Sequence, residues 1–356
     1  MEFDPTRVVF LGHGQSAVCY YRCMLPAMQM GADWVAVLGE PPKLHVPSGL
    51  VRDRKTGQPV SRVPDLLSDD YDIVVMQQPF GGNWVKLIDT LRDRGKVVLY
   101  EIDDYLHGIK SEKDHLYREH FTRTFLSDVE WAMKHCDGII CSTEYIASQY
   151  RHFNKKVYVC PNGIDTRRYD LTRPKRSAVN IGWAGATGHL AAIEPWLPAV
   201  GQIMRMREEV NFVSIGRTDF ADGFAKVFGE HRAIGTPWAA IEQYPGAMTM
   251  MDIALAPARA SNWWRGKSDL RWLEASALGI PVVADPQNYG EIEDEETGFL
   301  AESPQHVFEI LVRLVSDRKL RRGVGAQASA HVRENRSMKA MVENWTRTFT
   351  EILDAR

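Results

Sequence analysis

The chain alternates short apolar runs with segments of helical periodicity, and it does so twice. Val8–Leu11, Trp34–Leu38, Asp72–Met76, Val97–Tyr100, Gly138–Cys141 and Val157–Val159 read as strands. Helices are expected over 17–30 and 84–94, with a long helical region over 112–134. The pattern stops at Pro161-Asn162-Gly163-Ile164-Asp165 and a basic stretch with Arg167, Arg168, Arg173, Lys175 and Arg176, a linker by composition. It restarts at Asn180–Trp183 and continues through Phe212–Gly216, Asp252–Ala256 and Pro281–Ala284, and the tail from 303 to 356 reads as helical. Runs with no in-and-out alternation suit strands buried on both faces. Strands separated by helices imply βαβ units and parallel pairing. The expected fold class is therefore α/β, with two Rossmann-like parallel sheets in tandem and a cleft between them, a common place for a ligand. Residues 41–65, rich in Pro, Gly and charge, read as an irregular insertion.

Composition narrows the function classes. A length of 356 residues holds one or two domains. A net charge of −3 argues against electrostatic binding of nucleic acid by the whole molecule. No run of about 18 apolar residues occurs, so no membrane span is expected. The segment MEFDPTRVVFLG lacks the basic and apolar regions of a signal peptide, and a cytoplasmic protein is expected. The five cysteines (Cys19, Cys23, Cys136, Cys141, Cys160) include no C-x-x-C pair, which favours buried thiols over disulfides or zinc.

The chemistry concentrates in Lys267–Asp285. Ser268 or Asp269 can cap a helix whose apolar face is Leu270, Leu273 and Ala277. Gly279 stands where a left-handed stop is wanted, and Pro281 opens a buried strand. Arg265 and Lys267 precede the helix, and cations beside a helix N-terminus make a site for a phosphate or diphosphate. Glu274, two turns in, can accept both hydroxyls of a ribose. A second phosphate turn is Gly185-Ala186-Thr187-Gly188-His189, to which Arg217 can add charge. Trp263 and Trp264 are candidates to line the cleft, whereas Trp272 reads as core.

The first half offers its own loops. Gly12-His13-Gly14-Gln15-Ser16-Ala17 fits G-x-G-x-x-A after a strand, with Glu40 after the next strand. That fingerprint supports a rival reading, an NAD-dependent oxidoreductase, although nothing in an oxidoreductase explains the phosphate and ribose constellation of the second half. Glu101-Ile102-Asp103-Asp104-Tyr105 closes a strand at the carboxyl edge, where Asp103 and Asp104 can meet a sugar, an acceptor or a divalent metal.

These motifs carry a resemblance. Lys267, Ser268, Asp269, Glu274, Ala275 and Ala277–Ala284 resemble the donor-site helix of family 4 (group 1) glycosyltransferases with the GT-B fold. Glu291–Leu300 resembles that family's E-I-x-D-G-E-T-G-x-L segment, with Glu295 where glycine is usual. Tyr21-Arg22 with Pro26-Ala27, Thr143-Glu144-Tyr145 and Pro161–Asp165 extend the likeness over most of the chain. Two further positions depart: Gly266 stands where the family has a sugar-binding glutamate, and Asp103 where it often has a histidine.

The resemblance implies an acceptor domain over 1–165, joined by a returning helix over about 337–356, and a donor domain over 177–336. It implies transfer of a sugar from a nucleotide diphosphate sugar to an acceptor hydroxyl with retention of configuration. Glu274 would hold the ribose. Gly185, Thr187, Arg217, Lys267, Ser268 and Asp269 would hold the donor. Arg265 and Lys267 would neutralise the leaving diphosphate, assisted by the Gly185–Gly188 turn, and Asp103 would be the third catalytic residue, at the sugar. Gly12, Gly14, Gln15, Ser16, Asp103 and Asp104 would face sugar and acceptor. No cofactor and no metal are expected. A glycan or lipid-linked glycan is the commonest acceptor, with a small molecule, a protein or modified DNA as alternatives. The basic linker leaves peripheral membrane contact open. The departures at Gly266 and Asp103 motivate a third reading, an inactive transferase-like binding protein.

Overall fold

The computed structural model describes residues 3–14, 16–37, 50–52, 59–61, 65–112 and 118–355. The two series of strands expected from the sequence form two six-stranded parallel sheets. The first contains β1 (Val8–His13), β2 (Asp33–Val37), β5 (Ile73–Gln77), β6 (Val97–Ile102), β7 (Gly138–Cys141) and β8 (Val157–Val159), in the order β2-β1-β5-β6-β7-β8. Between β2 and β5 a small antiparallel hairpin, β3 (Leu50–Arg52) with β4 (Pro59–Ser61), replaces part of the irregular insertion expected over 41–65. The second sheet contains β9 (Val179–Ala184), β10 (Val210–Gly216), β11 (Ala233–Pro237), β12 (Ile253–Ala256), β13 (Val282–Ala284) and β14 (Phe299–Leu300), in the order β11-β10-β9-β12-β13-β14.

Two of these strands were not legible from apolar runs. The β11 strand is an edge whose residues are half-buried or exposed, and β14 is a pair of residues. The long helix expected over 112–134 is shorter: 3-10 turns at Leu106–Ser111 and Arg118–His120 precede a helix over Arg123–His135. Thr122 starts that helix by accepting a hydrogen bond from the Phe125 N–H.

Strand order reverses between β1 and β5 in the first sheet and between β9 and β12 in the second. Ligands of open α/β sheets bind outside the carboxyl ends at such a reversal. Gly14, just past β1, and Gly185, just past β9, mark those points.

The helix after β1 carries a π turn over Tyr20–Met24, with Leu25 N–H bonded to Tyr20 O. Pro26 explains it: proline has no N–H to give the Arg22 carbonyl one turn back, so the helix widens there. Gly12 lets this helix lie close to β1, because a Cβ at that position would come 2.3 Å from the Cys19 Sγ. All five cysteines are buried free thiols.

The tail is helical, as expected. Pro304–Ser316 and Arg318–Asn335 lie against the second sheet. Arg336 and Ser337 then return to the first half, where Ile164 and Ser337 form a bridge. Along the helix Met338–Asp354, Trp345, Phe349 and Ile352 bury against Phe10, Val8 and Val75. Burial of each such side chain contributes about 1.5–3 kcal/mol, which fastens the end of the chain to the first sheet.

Candidate functional site

A cleft of about 770 Å³ opens between the halves. Its first-half wall includes Gly14, Ser16, Tyr20, Tyr21 and Trp34, and its second-half wall Gly185, Ala186, Gly216, Trp238 and Tyr244, with Arg271 and Glu274 from the helix Leu270–Ala277. Of the residues expected to form the site, the structure brings Gly14, Ser16, Gly185 and Glu274 together on this wall. Gln15 and Glu40 lie outside the described residues.

The local folding of this wall follows from sequence. Gly14 has φ +59°, and Ser16 caps the next helix by accepting from the Cys19 N–H. Gly185 sits under the Trp183 ring, and a Cβ on Gly216 (φ +93°) would come 2.7 Å from the Gly185 carbonyl, so the two turns pack backbone to backbone. Gly279 follows the helix Leu270–Ala277 at φ +67°, as its position predicts.

Glu274 is 5% exposed. Tyr21 O–H donates to its Oε1 at 2.6 Å, and the Tyr169 hydroxyl lies 3.2 Å from that of Tyr21. The Tyr244 hydroxyl also faces the carboxylate. Burial pushes the Glu274 carboxyl up to about 7, while the tyrosine hydroxyls and the nearby Arg271 and Arg168 pull it down. A side chain that is a proton acceptor near neutral pH therefore stands at the floor of the cleft.

The cations are arranged differently from the sequence expectation. Lys267 Nζ lies 2.7 and 2.9 Å from the two carboxylate oxygens of Asp104 and rests over the Trp263 ring. Arg265 stacks on Tyr145. Arg217 is paired with Asp219 and donates to Thr187 Oγ1. Among the described cleft residues, the guanidinium of Arg271 is the fixed positive charge, and it has neither a hydrogen bond nor an ion pair among the described residues. It stands three residues before Glu274 on one helix face, and helical side chains lean toward the N-terminus. That spacing is the signal by which sequence reasoning can find Arg271. No such signal exists for Tyr21, Tyr169 or Tyr244, which are distant in sequence.

Ser268 and Asp269 are held from behind. Asn162 in the turn after β8 donates to Ser268 Oγ at 2.8 Å, and Arg336 holds both oxygens of Asp269 at 2.6 and 3.0 Å. Arg336 also donates to the Asn162 carbonyl, and Arg22 links the Asn162 side chain (2.9 Å) to buried Glu101 (2.6 Å). Asp269 has no capping bond to its own helix, because its carboxylate is spent on Arg336.

Asp103 lies on the other side of this seam, at the carboxyl edge of β6, and accepts from Gln78 Nε2 at 3.0 Å. Gln78 has φ +43°, a conformation a non-glycine residue adopts at a cost. Burial, then the charges of Asp104 and Glu101, push the Asp103 carboxyl up to about 8. Gly266 is explained sterically: a Cβ there would lie 2.8 Å from Tyr105 Cβ, so Tyr105 of the first half fills the space a longer residue would need. Trp263 and Trp264 are buried at 3% exposure rather than lining the cleft, and Trp272 is core at 0%. Gly12 serves helix packing, as above. Among the described residues no cluster of three or more His, Cys, Asp or Glu side chains is placed to hold a metal.

With this geometry in place, the chain can be set beside known proteins. Residues 23–168 match the family model for Glycosyltransferase Family 4, and residues 199–347 match a model for glycosyl transferase-like proteins. No curated protein matches the sequence. HepE of Anabaena, solved with UDP and glucose, superposes with a TM-score of 0.66 at 15% identity, covering 97% of this chain and 99% of that one. Sucrose-phosphate synthase of Thermosynechococcus elongatus gives 0.68 at 12% identity, covering 98% and 100%. A glycosyltransferase of Rickettsia africae gives 0.64 at 11% identity, covering 99% and 100%. At such identities the structures share the fold. The family models, matching both halves, show that the chain belongs to the family 4, group 1 glycosyltransferases, and the solved structures show that its fold is GT-B.

Proposed function

We propose that the protein moves a sugar from a nucleoside diphosphate sugar to an acceptor hydroxyl, with retention of configuration and without a metal. The observation that carries this reading is the buried Glu274 carboxylate on the wall of the inter-half cleft, one helical turn from the unpaired Arg271 guanidinium. A carboxylate accepts both hydroxyls of a ribose, and a guanidinium matches diphosphate oxygens in a bidentate manner. HepE, solved with UDP-glucose, makes uridine donors the first to test.

The halves divide the work as an acceptor domain over 1–165 with 337–356, and a donor domain over 177–336. Glu274 holds the ribose and the Gly185 turn receives the phosphates through its N–H groups. Arg271 supplies the charge in the cleft. Lys267 reaches the diphosphate by exchanging Asp104 for phosphate oxygens, and Arg265 stands beside it. Preorganised donors at the departing oxygen are the largest expected contribution to rate. Asp103 keeps its proton near neutral pH and donates a hydrogen bond at the sugar or acceptor. A glycan or lipid-linked glycan is the acceptor class favoured by the family likeness.

The test is release of nucleoside diphosphate from UDP-, GDP- and ADP-sugars with calorimetry of the free nucleotides and NAD. Binding of a nucleoside diphosphate with turnover of its sugar supports the reading. Binding of NAD alone overturns it in favour of an oxidoreductase. Nucleotide-sugar binding with neither transfer nor hydrolysis identifies an inactive binding protein.

A further inference from the structure

We infer that Tyr21, on the first half, is a positioning residue for the ribose carboxylate of the second half: its hydroxyl fixes and ionises Glu274, so the nucleotide site is complete only with both halves in contact. The inference rests on the donor-site reading of Glu274.

The geometry is specific. The Tyr21 O–H reaches Glu274 Oε1 at 2.6 Å across 253 residues of sequence. Both groups lie on the cleft, and both are almost fully buried, at 3% and 5% exposure. Because the carboxylate accepts, the Tyr21 proton is committed to it, and Tyr169 must donate in its 3.2 Å contact with the Tyr21 oxygen. The π turn at Tyr20–Met24 carries this side chain, and such turns recur at functional sites. Tyr244, Arg271 and Tyr289 of the second half and Arg168 of the linker face the same carboxylate. A carboxylate has about four acceptor sites, so the bond from Tyr21, even with Tyr244 beside it, leaves room for a ribose hydroxyl pair. The bond also restricts the carboxylate to one orientation, which lowers the ordering cost when the ribose arrives.

The hydrogen bond has a measurable consequence. It favours the ionised form of an acid that burial pushes up to about 7, and only that form can accept from both ribose hydroxyls. Without it the carboxyl takes up a proton at higher pH, and nucleotide affinity is lost at higher pH.

The experiment is calorimetric binding of UDP between pH 6 and 9 to the full chain as wild type, Tyr21→Phe, Glu274→Gln and the double variant. The phosphate titration of UDP itself cancels between proteins. In Tyr21→Phe the pH at which affinity is half lost should move upward, with affinity down about tenfold at pH 7 and recovering toward wild type by pH 9. In the Glu274→Gln background, adding Tyr21→Phe should leave the pH profile unchanged. A Tyr21→Phe profile parallel to wild type, or an upward shift that persists without Glu274, overturns the inference while leaving the donor site intact. Absence of UDP, GDP and ADP binding by the wild type overturns the donor-site reading and this inference with it. Thermal unfolding of each protein in parallel checks that the variants are folded.

Discussion

Two carboxyl groups flank the contact between the halves, Glu274 buried and Asp103 half-buried, and they differ most in company. Glu274 is raised to about 7 in a cage of hydroxyls with Arg271 and Arg168 nearby. Asp103 is raised to about 8 beside two further acids, Asp104 and Glu101, and a glutamine amide. Desolvation acts on both in the same sense. Glu274 has donors all round it and is built to be an acceptor. Asp103 has negative neighbours and is built to keep its proton. The cations read from sequence as serving one diphosphate are engaged elsewhere, Lys267 with Asp104 and Arg265 with Tyr145, and Arg271, which the sequence reading missed, lies in the cleft.

The comparison breaks most sharply at Glu274. A charged acceptor bonded to a diol is worth about 1.5–3 kcal/mol, so Glu274→Ala should weaken UDP binding about 10- to 150-fold by calorimetry. Because Tyr21 loses its partner too, the melting temperature of the variant should also fall. Intact affinity in a destabilised variant would make Glu274 a structural residue like any other buried acid.

Arg271→Met should weaken UDP binding about tenfold, the scale of one charge-assisted hydrogen bond. Lys267→Met should weaken it by less than about threefold, because any phosphate contact replaces an existing ion pair with Asp104. The reverse ranking would return the diphosphate to Lys267.

Asp103 bears on stability against pH. A folded-state value above the ordinary 3.8 means that the folded protein binds this proton more tightly than the unfolded chain. Its contribution to stability is therefore fully present below 3.8 and lost as pH rises to about 8. Asp103→Asn should melt above the wild type at pH 9, with the gap closing toward pH 4. An identical pair of melting curves at pH 9 would mean that Asp103 ionises freely and does not differ from an exposed aspartate. The smallest expected effect is that of EDTA: with guanidinium and N–H donors serving the diphosphate, turnover should be unchanged. Loss of turnover restored by magnesium or manganese would move the diphosphate to Asp103 and Asp104.

What the sequence by itself determined is whatever repeats over a few residues. Apolar runs located the buried strands, helical spacing located Leu270–Ala277, and Gly279 announced its end. Glu274 was legible as a carboxylate two turns into that helix because its place there is set by a local rise per residue. The β11 edge, half-exposed, and the hairpin in 41–65 gave no such period. Only the tertiary structure decided which charges meet. Lys267 finds Asp104 across 163 residues, Arg336 finds Asp269 across 67, and Tyr21 finds Glu274 across 253. Local periodicity is a property of neighbouring peptide units, whereas a charge is neutralised by whatever the fold brings within a few ångströms.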